Sequence, residues 1–358
     1  MEDLKKATLE VNANVCNNGT TEQFGEQSVV AIVDSSYKVG GDFSSFNQVD
    51  REQRIIDTDE DNTTGHGTVV TKILSTIATN PKFQFYQIID EYGEYDDGDL
   101  LTAIVRATDY GGDVINLSVG SPHVSDDDKL CDHSGAQCSL DKAVKYAVDS
   151  GTIVVSAVGN APTYDTICCP ALSESSIAVG GCLVKCSASL KKDQTPIGVQ
   201  SGPGKPPKAM WLSSKSEEGI SDVLCSGMGC YPGGSCEENQ HIVKWDGNPR
   251  FVGDTPDTIA PVNYPQKMEN GVGVMRAGTS FATPVISGGL ANVVEVLQQN
   301  GVSVNPDEIR KYIRLTGEEI EDSPATLFDA IGLATELLRE HDLPPVRVES
   351  NSGSNSLR

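Results

Sequence analysis

Short apolar runs recur along the chain, and turn-forming residues bound each of them. Five runs are apolar on both faces, which is typical of strands buried in a parallel sheet rather than of strands with one face in water. These runs are 29–33, 83–89, 114–119, 153–158 and 176–179. The pattern therefore predicts five strands at the centre of the fold.

Helical periodicity alternates with these strands. Helices are predicted over 68–78, 100–110, 140–148 with Ser139 as N-cap, 280–299, from Asn305 as N-cap with Pro306 in the first turn, and over 327–339. Proline is favourable at a helix start because the N–H that it lacks has no helical partner there. Alternating strands and helices form βαβ units. The predicted fold is α/β, with a mostly parallel central sheet flanked by helices on both sides.

Residues 187–256 interrupt this pattern with a segment rich in Gly, Pro and Ser that carries three cysteines. A linker between two domains is one interpretation. The core pattern resumes at 257–261, however, which favours an insertion within one domain. The predicted organisation is an N-terminal extension over 1–27, one domain over 28–340 that contains the insertion, and a flexible tail over 341–358.

Composition and charge exclude several classes of function. The 358 residues carry a net charge of −24, from 51 acidic and 27 basic residues. A nucleic-acid-binding protein needs a basic face, and the sequence has no dense stripe of Lys and Arg. No apolar run approaches the roughly 18 residues of a membrane-spanning helix. We therefore expect partners other than nucleic acid or membrane, and the oligomeric state stays open.

The ten cysteines are clustered and even in number. Structural disulfides in an oxidising compartment are the favoured interpretation. Free thiols in a cytoplasmic protein and a zinc site are the alternatives, the zinc site being the weakest because the sequence has no paired CxxC. The cysteines favour a secreted or extracytoplasmic protein. A cytoplasmic location stays open, because the N-terminus has no apolar segment of a signal peptide.

Three polar residues stand where predicted elements begin or end. Asp34 ends the first apolar strand, His66 lies between two glycines at the start of a helix, and Ser280 starts a helix after a Gly-Thr turn. Catalysis by a serine nucleophile needs a hydroxyl, an imidazole base and a carboxylate that orients the imidazole. N–H groups at a helix start also favour a developing oxyanion. The chain supplies one candidate for each role.

Six segments carry a family resemblance, and they occur in the order VAIVDSS, GHGT, INLSVG, SAVGN, PDTIAP and GTSFATP. They resemble the subtilisin-like serine proteases over about residues 28–340. The resemblance implies a serine endopeptidase in which Asp34 orients His66, His66 is the general base, Ser280 is the nucleophile and Asn160 is a donor to the oxyanion.

Two other functions are compatible with the same fold. A transpeptidase or peptide macrocyclase would resolve the acyl-enzyme with an amine instead of water. A binding-only pseudoprotease would lack a member of the triad, whereas all three candidates are present. The expected partner is a peptide or protein substrate.

The resemblance also implies a pocket for the residue before the scissile bond. One wall is formed by Leu117, Ser118, Val119 and Gly120, the other by Ala157, Val158 and Gly159, and Cys168 lies near the floor. No acid occurs in these walls, which favours a small or apolar residue in the pocket.

An acidic run over 91–99 lies beside the strand expected to pair with the substrate backbone. Its acids are Glu91, Glu94, Asp96, Asp97 and Asp99. We expect them to favour Lys or Arg two or four residues upstream of the cut. A solvated loop is the alternative interpretation.

Catalysis by this triad needs no cofactor, but structural Ca²⁺ is an expectation that the resemblance supports. Candidate oxygen ligands are Asp57, Asp59, Asp61 and Asn62 in one loop and the acids over 126–128 in another. Neither loop has the EF-hand pattern.

Overall fold

A computed structural model describes residues 27–35, 65–78, 81–90, 93–121, 138–160, 167–186, 210–211, 240–244, 256–267, 273–319 and 325–346. The strands in these segments are β1 Val29–Ser35, β2 Lys82–Ile89, β3 Val114–Leu117, β4 Ile153–Ala157, β5 Ile177–Cys186, β6 Met210–Trp211, β7 Gln240–Lys244, β8 Thr258–Pro261, β9 Asn263–Lys267 and β10 Gly273–Ala277. The helices are α1 His66–Ile77, α2 Asp97–Asp109, α3 Ser139–Asp149, α4 Thr279–Gln299, α5 Pro306–Thr316 and α6 Ala330–Glu340.

Within the described segments the central sheet has seven strands and is mostly parallel. The sequence predicts the parallel sheet and five of these strands. The strands of the sheet follow the order β2-β1-β3-β4-β5, and β7 and β8 both pair with β5. Every pairing in this sheet is parallel except that of β7 with β5. A second sheet, with the order β6-β10-β9, is antiparallel and was not predicted.

Helices cover both faces of the central sheet. Because successive side chains of a strand point to opposite faces, the same strands contribute residues to two buried clusters. Val30 and Ile32 of β1 belong to a buried cluster that also contains residues of α1, α4, α5 and α6. Ala31 and Val33, which point to the opposite face, belong to a cluster with residues of α2 and α3. The predicted α/β architecture is thereby confirmed.

The helix α4 is the central helix of the first cluster, and its residues Thr279 to Leu297 are all buried. It is long and apolar enough to cross a membrane, but its apolar window lies entirely inside the protein, as in a core helix. The expectation that no apolar run approaches this length overlooked α4, since its Ser, Thr and Gly residues break the visible run. Gly288 permits close packing on α1, because a β carbon there would lie 2.9 Å from the side chain of Ile77.

Helix starts follow the capping rules, with two corrections. Asn305 caps α5 as predicted, since its side chain accepts hydrogen bonds from the N–H groups of Asp307 and Glu308. The predicted cap Ser139 is wrong: Cys138 is the N-cap of α3 and Ser139 is its first helical residue. The last helix begins at Ala330 and not at residue 327, because Leu327 forms β-bridges with Ile259 and Glu318.

The segment over 187–256, which interrupts the pattern of strands and helices, contains β6 and β7. The strand β7 extends the central sheet by pairing with β5. The interpretation of this segment as an insertion within one domain stays a prediction. The extension over 1–26 and the tail beyond residue 346 lie outside the described residues, so the predicted domain bounds stay a prediction.

Candidate active site

Three of the candidate residues lie at the carboxyl edge of the central sheet. Asp34 is near the end of β1, Ser118 directly follows β3, and Asn160 lies three residues beyond β4. These strands are parallel neighbours, so their carboxyl ends meet at one edge. Such an edge is where open α/β sheets place ligands and catalytic groups.

Asp34 and His66 form a close pair. Nδ1 of His66 lies 2.8 Å from Oδ1 and 3.0 Å from Oδ2 of Asp34. The carboxylate is 1% exposed, whereas the imidazole is 23% exposed. Because a carboxylate can only accept, this geometry assigns the ring proton to Nδ1 and the lone pair, which can accept from a hydroxyl, to Nε2. The Phe281 ring borders the imidazole, with the ring centroids 5.6 Å apart.

The two glycines around His66 have different physical roles. Gly65 has φ 63°, a left-handed conformation that glycine adopts without strain, and it precedes α1. Gly67 permits a close approach to β1, because a β carbon there would lie only 2.3 Å from the backbone oxygen of Ser35. Its N–H also donates to the Ser35 hydroxyl at 2.9 Å. Together they bring the imidazole to the Asp34 carboxylate.

Ser280 lies in the first turn of α4, beside Asn160. Oδ1 of Asn160 accepts hydrogen bonds from the N–H of Thr279 at 2.8 Å and from its hydroxyl at 3.1 Å. A β carbon on Gly278 would lie 3.2 Å from Oγ of Ser280 and 3.4 Å from Nδ2 of Asn160. The hydroxyl and the amide nitrogen therefore border one small space, which the absence of a side chain on Gly278 keeps open.

The structure also brings together the three segments of the expected pocket. A β carbon on Gly120 would lie 3.3 Å from the oxygen of Ala157 and 3.3 Å from Cβ of Cys168. The N–H of Cys168 donates to the oxygen of Val158 at 3.0 Å, which ties the floor to the second wall. Gly159 continues this wall with φ 99°.

Not every side chain of the first wall faces this space. Leu117 and Val119 are buried in the cluster that contains α2 and α3. The hydroxyl of Ser118 donates to the backbone oxygen of Ser280 at 2.9 Å. Sequence reasoning missed the buried partners Asn116 and Ser287 behind Ser118; a signal was present, because Asn116 is polar within an apolar strand.

Cys168 and Cys182 are buried thiols that take part in no disulfide. Burial raises the pKa of the Cys168 thiol to about 11 and that of Cys182 further. Cys138 and Cys169 are buried as well. The three cysteines of the segment over 187–256, which are Cys225, Cys230 and Cys236, lie outside the described residues. The disulfide hypothesis therefore gains no support from Cys168 and Cys182.

Three of the acids of the 91–99 run have a local structural role. Asp96 is the N-cap of α2 and accepts a hydrogen bond from the N–H of Gly98 at 2.7 Å. Asp97 and Asp99 lie in the first turn, where negative charge complements the helix dipole. Glu94 lies outside that turn, and Glu91 lies outside the described residues.

The candidate calcium ligands in the loops at 57–62 and 126–128 lie outside the described residues. Within the part of the chain that the structure does describe, no group of three or more His, Cys, Asp or Glu side chains could hold a metal ion. The calcium expectation is therefore neither supported nor opposed by the geometry.

Comparison with known proteins identifies the family of this fold. A family model described as the subtilase family matches residues 25–332. A thermophilic serine proteinase of Bacillus sp. (strain AK1) is 35% identical over 108 residues, which are 30% of this chain. The matched stretch spans only 23% of that protein.

Solved structures agree on the fold at low sequence identity. A lanthipeptide protease superposes with a TM-score of 0.57 at 15% identity, covering 94% of this chain and 96% of that chain. A mutant of the protease domain of PatA gives 0.55 at 18% identity, with 90% and 100% covered. The nisin leader peptidase NisP from Lactococcus lactis gives 0.51 at 19% identity, with 91% and 93% covered.

Proposed function

Because this chain belongs to the subtilase family of serine proteases, we propose that it hydrolyses internal peptide bonds through an acyl-enzyme formed on Ser280. The family membership that the six sequence motifs indicate is confirmed by the match over residues 25–332. The observation that carries the proposal is the contact of His66 with the buried Asp34 carboxylate at 2.8 and 3.0 Å. It fixes the tautomer that a general base requires.

Each proposed residue has one task in the reaction. Nε2 of His66 accepts the proton of the Ser280 hydroxyl as Oγ attacks the carbonyl carbon of the scissile bond. The carbonyl oxygen becomes negative and accepts a hydrogen bond from Nδ2 of Asn160. The C–N bond then breaks, and the leaving amine takes the proton from His66. Water repeats the sequence on the ester, which releases the acid and restores Ser280.

The composition of the proposed pocket walls supports a preference for a small or apolar residue before the scissile bond. The walls at 117–120 and 157–159 carry no charged side chain. Gly120 lies close to both Ala157 and Cys168, which leaves little room between the walls. The Cys168 thiol is neutral at physiological pH, because burial raises its pKa to about 11. We propose that this pocket accepts small neutral side chains of a peptide or protein substrate.

Transfer of the acyl group to an amine remains the alternative outcome of the same chemistry. It would require that water be excluded from the ester, and no contact among the described residues favours exclusion of water over its entry. Hydrolysis is therefore the function that we propose.

A fluorophosphonate probe tests the assignment of the nucleophile. We expect the probe to label the peptide that contains Ser280, and Ser280→Ala to abolish both labelling and proteolysis. His66→Ala is expected to be nearly as damaging, because residues that act as one catalytic unit are not additive. Ser176→Ala is the matched control, since it removes another buried hydroxyl, one that bonds to Ser156. Labelling at another residue, or full activity of Ser280→Ala, would overturn the assignment.

A further inference from the structure

The backbone carbonyl of Ser280 lacks its regular helical partner. In an α-helix the carbonyl of residue i accepts a hydrogen bond from the N–H of residue i+4. For Ser280 this residue is Pro284, which lies inside α4 and has no N–H. A buried carbonyl without a donor is costly, so another donor is needed at this point.

Ser118 supplies that donor from the end of β3. Its hydroxyl donates to the oxygen of Ser280 at 2.9 Å, although the two residues are 162 positions apart in sequence. Nδ2 of Asn116 in turn donates to the Ser118 hydroxyl oxygen at 2.9 Å. Because this bond occupies a lone pair of the hydroxyl oxygen, it leaves the hydroxyl hydrogen directed to Ser280.

A second contact with α4 closes the network. The hydroxyl of Ser287 donates to Oδ1 of Asn116 at 2.9 Å and thereby orients the Asn116 amide. Ser280 and Ser287 are seven residues apart and lie on the same face of the helix. Asn116 in β3 and Ser118 directly after it are two residues apart, so their side chains point to the same side of the sheet. All four residues are buried.

We propose that Ser118 is a positioning residue for the nucleophile. Its hydroxyl holds the main chain of Ser280, and through it the reactive Oγ, while Asn116 and Ser287 orient Ser118. This inference rests on the proposed function, in which Ser280 attacks the substrate. The buried Ser118 side chain is bonded to the backbone of α4, so its loss slows the chemical step and leaves substrate binding largely unchanged.

The test is a double-mutant cycle of Ser118→Ala and Pro284→Ala. Loss of the Ser118 hydroxyl is expected to slow fluorophosphonate labelling of Ser280 and to lower kcat by about tenfold, with KM changed by less than about twofold. Pro284→Ala restores an N–H that can donate to the Ser280 carbonyl. In that background Ser118→Ala is therefore expected to cost less than about twofold. A purely structural role for Ser118 would give the same factor in both backgrounds.

Control variants separate the possible failures. Ser176→Ala measures the general effect of losing a buried hydroxyl and is expected to label at the rate of the unaltered protein. If Ser118→Ala labels at the unaltered rate, or is slowed equally in both backgrounds, the positioning role is overturned. If the unaltered protein is not labelled at Ser280, the proposed function fails instead.

A second variant covers the case in which Ser118→Ala does not fold. Ser287→Ala breaks the outer link of the same network and leaves the Ser118 hydroxyl in place. We expect a slowing of about two- to threefold that disappears in the Pro284→Ala background. The proposal would be contradicted if the slowing persisted in the Pro284→Ala background. It would also be contradicted if Ser287→Ala alone were labelled as fast as the unaltered protein.

Discussion

The side chain of Asn160 is held through its amide oxygen, and its amide nitrogen is the proposed donor to the oxyanion. The amide oxygen accepts hydrogen bonds from the N–H and the hydroxyl of Thr279. Both ends of the amide border the space beside Ser280, since a β carbon on Gly278 would lie 3.4 Å from Nδ2 and 3.5 Å from Oδ1 of Asn160. The nitrogen is the end that can donate there, because an amide oxygen only accepts. Asp34 orients His66 in a comparable way, through a carboxylate that is itself bonded to the N–H of Ser35. In the proposed mechanism these contacts hold each polar group in position before a substrate binds.

Asn160→Ala is predicted to lower kcat with little change in KM, because in the proposed mechanism the amide donates to charge that exists only in the transition state. The expected factor of about 10²–10³ is borrowed from removal of the corresponding donor in subtilisin, the protein in which that magnitude was established. Steady-state kinetics on a peptide substrate provide the measurement.

Two further variants sharpen the Asn160 test. Asn160→Asp keeps the shape but removes the donor, so it should be at least as damaging as Asn160→Ala. Thr279→Val keeps the backbone donor to Asn160 and should lose much less. A rise in KM at constant kcat for Asn160→Ala would show that the amide binds substrate in its ground state.

At the scale of elements, the acids of the 91–99 run precede α2 or lie in its first turn. Whether they select the substrate can be measured. One close ion pair at an exposed position nets under about 1 kcal/mol. We therefore predict a preference of up to about fivefold in kcat/KM for Lys or Arg over Ala at the second or fourth upstream position. The preference should weaken as salt screens the charges. A peptide library assayed at low and high salt measures it.

Glu94 and Asp96 separate recognition from structure within that run. Glu94→Gln should reduce the preference without affecting stability, because Glu94 is outside the first turn of α2. Asp96→Ala removes the N-cap and should lower the free energy of unfolding by about 1 kcal/mol. A flat profile for the unaltered protein at low salt would leave these acids as a capping and solvated segment.

The junction of β1 with α4 contains a buried carboxylate. Oε1 of Glu295 accepts hydrogen bonds from the hydroxyl of Ser28 at 3.1 Å and from its N–H at 3.4 Å. Burial raises the pKa of Glu295, and the nearby charge of Asp113 adds to this effect, while the Ser28 bonds oppose it. A carboxyl whose pKa is raised by folding holds its proton more tightly in the folded state. Its contribution to stability is therefore greatest below the unfolded pKa and is lost as the pH rises through the folded pKa.

Glu295→Gln is consequently predicted to stabilise the protein at about pH 8 and to have little effect at about pH 4, near the ordinary pKa of a glutamate. The amide oxygen still accepts from Ser28 but carries no charge to desolvate. Urea unfolding of both proteins at the two pH values gives the free energies. Glu340→Gln on the exposed end of α6 is the control. A variant that is less stable than the parent at about pH 8 would refute this account.

At the scale of the whole molecule, the oxidation state of the cysteines would indicate the compartment of the protein, because disulfides persist in oxidising compartments. Cys168 and Cys182 are buried thiols and will not react in the folded protein, so titration must be done after unfolding without reductant. If bridges close the loop that contains Cys225, Cys230 and Cys236, the count will be below the ten cysteines of the chain. Each such bridge typically contributes about 2–4 kcal/mol.

A count of ten thiols would instead exclude the staple and favour the cytoplasmic alternative. Reduction of the folded protein gives a second measurement. Loss of stability on reduction is expected only if bridges exist, and a chain of free thiols should show no change.

Asp257 shows how one residue can connect several elements of the molecule. Its side chain is fully buried and accepts hydrogen bonds from the N–H of Ala178 at 2.8 Å and from Nε of Arg310 at 3.1 Å and of Arg314 at 2.5 Å. It thereby links β5, the start of β8 and α5. The sequence indicates only that the core pattern resumes at 257–261, and neither arginine stands in a recognisable motif.

The sequence by itself determined the features that depend on neighbours a few residues apart. Apolar runs indicated the five central strands, helical spacing and Asn305 indicated the helices, and the family motifs indicated the candidates Asp34, His66, Ser280 and Asn160. The antiparallel sheet of β6, β9 and β10 was not found, because its short strands lack a clear alternation of apolar and polar residues.

Tertiary structure alone decided which distant polar groups meet. Ser287 contacts Asn116 across 171 positions, and Ser28 contacts Glu295 across 267. No local pattern encodes such pairs, since strand order and the rotation of α4 on the sheet set them. Ser118 illustrates the difference: sequence similarity placed it in a pocket wall, whereas the packed helix directs its hydroxyl to the carbonyl that Pro284 leaves without a donor. The physical reason is that a buried polar group must find a partner, and only the assembled core determines which partner lies within reach.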